Sequence, residues 1–113
     1  MDIESKDRIA RIRNLNDAFR RTFFGGRVML TCGVAGLPDM VKAKALLLVA
    51  SFDQFTEGND PLGEHDFGSF VLADRTLFWK IDYYDQRCEF GSEDPSNPEQ
   101  TTRVLTLMLA SEY

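Results

Sequence analysis

The chain of 113 residues is poor in the residue types that announce a mechanism: one histidine, two cysteines, one tryptophan and four prolines. Cys32 and Cys88 stand alone, with no C-x-x-C spacing, which argues against a disulfide or zinc framework; both are expected to be buried or idle. No window approaches the ~18 consecutive apolar residues of a membrane span, and the first ten residues, MDIESKDRIA, are charged where a secretory signal carries its apolar core. A cytoplasmic protein is expected, with no membrane partner. Gly-rich phosphate loops, H-E-x-x-H and calcium-loop patterns are missing, and Asp66-Phe67-Gly68 echoes the kinase triplet without any other kinase element. No catalytic residue, metal ligand or cofactor is therefore assigned.

What is present is acid. Thirteen Lys and Arg stand against eighteen Asp and Glu, a net charge of −5, which disfavours direct nucleic-acid binding. The imbalance is unevenly spread. Residues 1–44 hold nine bases and five acids, a net of +4, and residues 45–113 hold four bases and thirteen acids, a net of −9. With 43% hydrophobic residues, the length suits one compact domain over residues 1–113.

Ile9, Ile12, Leu15, Phe19 and Phe23 recur every three or four positions, predicting an amphipathic helix from Glu4 to about Phe23 that Gly25-Gly26 stops. Asp7/Arg11, Arg13/Asp17 and Asp17/Arg21 are spaced to pair along its wet side, and Lys6, Arg13 and Arg20 form a stripe read as a solvated flank. RVMLTC at 27–32 reads as a strand. Gly33 and Gly36 bracket a turn, and Pro38-Asp39 starts a second helix through about Phe52, apolar all round from Ala45 to Ala50 and so buried, with a central strand as the alternative.

DQFTEGNDPLGEHD, residues 53–66, is an acidic loop. Strands at 67–73 and 76–84 follow, joined at Asp74-Arg75, with Leu77, Trp79, Ile81 and Tyr83 on one face and Trp79 in the core. A second acidic loop covers 85–95. Asn97-Pro98 with Gln100 has the form of a helix start, predicting a third helix through Met108. The expected fold is thus α+β in the order α-β-α-β-β-α, a three-stranded, mainly antiparallel sheet with helices on one face. The other face presents Phe78, Lys80, Asp82 and Tyr84 to a partner or to a covering element.

A hairpin of this form brings Asp66 and Asp85 to the same end, where Asp60, Glu64, His65, Asp66, Asp82, Asp85 and Glu89 can gather into a negative pole. Three uses of that pole stay open. A carboxylate–imidazole set can hold a divalent ion; His65 with Asp66, Glu64 or Asp82 can move protons; and an acidic surface bordered by Phe55, Phe78, Tyr83 and Tyr84 can dock a basic protein. The third agrees best with the composition, and it makes Asp60, Glu64, His65, Asp66, Phe78, Lys80, Asp82, Tyr84, Asp85 and Glu89 the candidate interface. Helix one is the candidate for a homodimer contact.

The segments RIRNLNDAFRR, GGRVMLTCGVAGL, NDPLGEHDFG, FWKIDYYD and RVLTLMLASEY together resemble a small bacterial family classed only as a domain of unknown function and carried by alphaproteobacterial plasmids, prophages and other mobile elements. The resemblance spans about Arg8 to Tyr113 and brings no catalytic or binding residue with it. It implies a mobile-element protein, for which an acidic inhibitor of a host defence system, anti-CRISPR or antirestriction, is one expectation. A regulatory module for a partner encoded on the same element is the other.

Overall fold

A computed structural model of the chain describes residues 3–113. The elements run α1 (Ile3–Thr22), β1 (Arg27–Leu30), α2 (Cys32–Ala35), α3 (Asp39–Ser51), β2 (Phe67–Leu72), β3 (Arg75–Tyr84) and β4 (Thr102–Leu109), with single 3-10 turns at Pro98–Gln100 and Ala110–Glu112. The fold is mixed α+β, as the sequence predicts. The sheet, however, has four strands in the order β1-β4-β3-β2, with β1 parallel to β4 and the other neighbours antiparallel.

The fourth strand is the main departure from the sequence reading. The helix start at residue 97 is real: the Asn97 side chain accepts from the Glu99 N–H at 2.9 Å, and Pro98 opens the turn. It ends after one turn at Gln100 because Thr102, Val104 and Thr106 alternate with Arg103, Leu105 and Leu107, a period of two that serves a sheet. β4 then lies between β1 and β3, so the segment expected to cover the sheet is at its centre.

Alternation sorts the sheet into two faces. Leu77, Trp79 and Ile81 of β3 and Leu105 and Leu107 of β4 form the core with Phe19 of α1, Val34 of α2 and Ala45 and Val49 of α3. All three helices thus pack on one face, and Trp79 is wholly buried. Gly68 makes room for it, since a Cβ there would land on the indole and on Phe52. α3 is less buried than its composition suggests, with Met40 and Leu47 facing solvent. β2 and β3 turn at Ala73-Asp74, one residue earlier than expected; both residues have positive φ, as a two-residue hairpin turn with the right-handed strand twist requires.

The charge asymmetry of the sequence is folded away in part. α1 lies over the acidic half of the chain, where Arg8 pairs with Asp94 at 3.5 Å and Arg13 donates to the Gly63 carbonyl at 3.1 Å. Of the Lys6, Arg13 and Arg20 stripe only Lys6 is exposed; Arg20 is 1% accessible, so the solvated flank is corrected. Asp17 pairs with Arg20 and His65 in place of the Arg13 and Arg21 pairs expected along the helix. Cys32 is exposed at the start of α2 and Cys88 is half-buried, so neither is fully buried, and neither is in a disulfide.

Candidate functional site

The two acidic loops leave the sheet at the end opposite the Ala73-Asp74 turn, and they use their carboxylates differently. In the first, Asp60 is buried and accepts from the N–H groups of Glu64 and His65 at 3.1 and 3.2 Å. These bonds hold His65 at φ +56°, a left-handed conformation uncommon for a side-chain-bearing residue. The His65 ring stacks on Phe55 with centroids 3.8 Å apart, its Nδ1 lies 3.0 Å from Asp17, and its Nε2 faces the Asp60 carboxylate at 3.8 Å. With a carboxylate near each nitrogen, the imidazole tethers the loop to the helix.

Beneath it lies a buried polar network. Arg20 donates to the carbonyls of Val49, Ala50 and Phe52, satisfying the C-terminus of α3, and to Asp17 at 2.9 Å. Its guanidinium lies 5.3 Å from the ring centroids of Phe55 and Trp79. Asn16 donates to the Glu64 carbonyl and the Tyr83 hydroxyl and accepts from Arg103, while Tyr83 donates to the Glu64 carboxylate at 2.7 Å. Burial, and then that bond to Glu64, push the Tyr83 hydroxyl well above its ordinary value; burial lowers Arg103. Asp66 is raised by burial first and then by the charge of Glu64, with Asp60 and Asp82 adding to it.

The second loop faces outward. Asp85 accepts from the Glu89 N–H at 3.0 Å and its own N–H donates to the Phe90 carbonyl, closing a turn from which Glu89 and Phe90 project. Between this turn and the 3-10 turn at 98–100 is an open cleft of about 500 Å³ lined by Asp85, Gln86, Phe90, Gly91, Glu93, Glu99 and Gln100. Three carboxylates and a phenyl ring that is 73% exposed border it, and no basic side chain does.

The face of the sheet away from the helices carries the remaining candidates. Phe78 packs its ring against Phe67 and Tyr113, with centroids 5.3 and 5.6 Å apart. Lys80 and Asp82 pair at 2.7 Å, and that hydrogen bond, ahead of other influences, raises the Lys80 ammonium. Tyr84 is half-buried at the start of the second loop. Among the described residues no α-helix packs on this face, and Tyr113, after the last 3-10 turn, lies against it.

The structure therefore brings Asp60, Glu64, His65 and Asp66 together under α1, puts Phe78, Lys80, Asp82 and Tyr84 on the open face, and leaves Asp85 and Glu89 in the outward turn. Of the expected pole, Asp60, Glu64, Asp66 and Asp82 act on one another through their charges. Asp17, Arg20, Asn16 and Arg103 escaped the sequence reading as partners of the first loop, although Asn16 falls in the apolar stripe between Ile12 and Phe19, where a polar side chain calls for a buried partner. Glu93, Glu99 and Phe90 escaped it as cleft residues because loop closure has no periodic signal. Among the described residues, no three His, Cys, Asp or Glu side chains are grouped to hold a metal ion, and no helix is long and apolar enough to cross a membrane.

These features define a small α+β domain whose sheet is covered on one face and open on the other, with an acidic cleft at one end. Residues 30–112 match the family model described as a protein of unknown function, DUF3768, and the chain belongs to that family. The match takes in α2, α3, β2, β3, β4, both acidic loops and the cleft, and begins at the last residue of β1. Searches of curated proteins and of solved structures found no match.

Proposed function

We propose that the protein is an interaction module that binds a basic protein partner at the 85–100 cleft. The carrying observation is that Asp85, Glu93 and Glu99 face one open cleft beside the exposed Phe90, with no cation lining it. An arginine or lysine side chain of a partner supplies the missing charge, and its stem or guanidinium plane packs on the phenyl ring. The adjoining open face, with Phe78, Lys80, Asp82 and Tyr84, extends the contact. Within this reading a mobile-element inhibitor competes with nucleic acid for a basic defence effector, anti-CRISPR or antirestriction, and a regulator binds a partner from its own element.

Charge reversal tests it. Glu93→Lys with Glu99→Lys is expected to abolish capture of a basic partner from a host lysate, with the wild-type complex dissociating as salt rises. For the inhibitor form, the same variant is expected to lose suppression of a reconstituted defence nuclease. Capture that survives both reversal and high salt would rule the cleft out. Asp60 is unsuitable for such tests, because its carboxylate is an internal backbone acceptor.

A further inference from the structure

The two edges of the sheet are unlike. β1 is four residues long and opens with the charged Arg27, features that discourage pairing with another chain. β2 runs for six residues, FGSFVL, with no charge, no proline and no bulge in its register with β3. The Ile81 N–H donates to the Asp66 carbonyl, so in this antiparallel register Asp66, Gly68, Phe70 and Leu72 are the residues bonded to β3. Phe67, Ser69 and Val71 thus turn their N–H and C=O groups to the outer edge. Ser69 is exposed and Val71 is 70% exposed.

We propose that this edge binds a second copy of the chain, β2 against β2, antiparallel about a twofold axis centred on Ser69. Phe67 of each copy then faces Val71 of the other and Ser69 faces itself, and the three pairs supply about six main-chain hydrogen bonds. The two sheets become one of eight strands with both open faces on the same side.

Charge complementarity selects a second copy over a foreign strand. Arg75 is the β3 partner of Leu72, and the proposed register places the second copy's Asp66 beyond Leu72. Arg75 and that Asp66 then lie on the same face, two strand spacings or about 10 Å apart at Cα, within reach of an arginine side chain. In its own chain Asp66 is surrounded by the carboxylates of Glu64, Asp60 and Asp82. The twofold axis makes the contact twice. This contact is separate from the 85–100 cleft and from helix one, and it stands or falls independently of the proposed function.

Sedimentation of the full chain is expected to give twice the 12.9 kDa of one copy, and Ser69→Lys, which sets two like charges face to face, is expected to return it to one copy with an unchanged circular dichroism spectrum. An independent test is Ser69→Cys in a background with Cys32→Ser and Cys88→Ser. Oxidation is expected to cross-link that variant into dimers, whereas Met29→Cys on β1 in the same background stays monomeric. A chain that sediments as one copy at its highest soluble concentration would overturn the proposal, and so would a dimer that survives Ser69→Lys or fails to cross-link through Ser69→Cys.

Discussion

The two acidic loops look alike as sequence and behave oppositely in the fold. Residues 53–66 lie against α1, and three of their side chains serve the interior: Asp60 accepts from the backbone, Glu64 accepts from Tyr83, and His65 meets Asp17 of α1, while Asp53 and Glu57 stay exposed. Residues 85–95 have less of α1 over them, with the Arg8–Asp94 pair at their margin, and Asp85 and Glu93 are left to face the cleft. A run of acids is therefore ambiguous between architecture and recognition, and the difference is made by which donors the fold carries to each carboxylate.

Substitutions should separate the two roles. The largest effect is expected at Arg20, the cation joining α1 to the first loop and to the end of α3. Arg20→Met leaves the Val49 and Phe52 carbonyls and Asp17 without their buried partner and should cost about 3 kcal/mol or more in urea unfolding. Asp60→Ala orphans the N–H groups of Glu64 and His65 and removes what holds the left-handed backbone at His65, a loss of about 1–3 kcal/mol by the same measurement.

Asp66→Asn should act in the opposite direction. Its folded pKa is raised, so the folded state holds the proton more tightly than the unfolded chain, and the ionised carboxylate opposes folding at neutral pH. The variant is expected to be more stable than wild type at neutral pH in dilute protein. That advantage should shrink as pH falls through the raised value of Asp66 and vanish below the ordinary aspartate value; an advantage that grows on acidification would contradict the assignment. The smallest effect is expected in the cleft, where Glu93→Gln and Glu99→Gln should each change unfolding stability by less than about 0.5 kcal/mol while weakening a basic partner.

Much of the fold was legible from local pattern. The stripe from Ile9 to Phe23 specifies α1, and the alternation of Leu77, Trp79 and Ile81 specifies the buried face of β3. β4 was missed because the Asn97-Pro98 start is a true local signal that Thr102, Val104 and Thr106 override from residue 102 onward. The same distinction governs the site. Charge and turn residues located both loops, but the partners of His65 and Tyr83 lie 48 and 67 residues away, at Asp17 and Asn16, and only packing of α1 on the sheet brings them together.

The most direct test of the division between the loops is titration of an arginine-rich peptide into isotope-labelled protein, followed amide by amide by NMR. Shifts concentrated at residues 85–100 and the edge of the open face, with 53–66 unmoved, are expected. Shifts centred on 53–66, or none at any residue, would refute the assignment of the second loop as the binding surface.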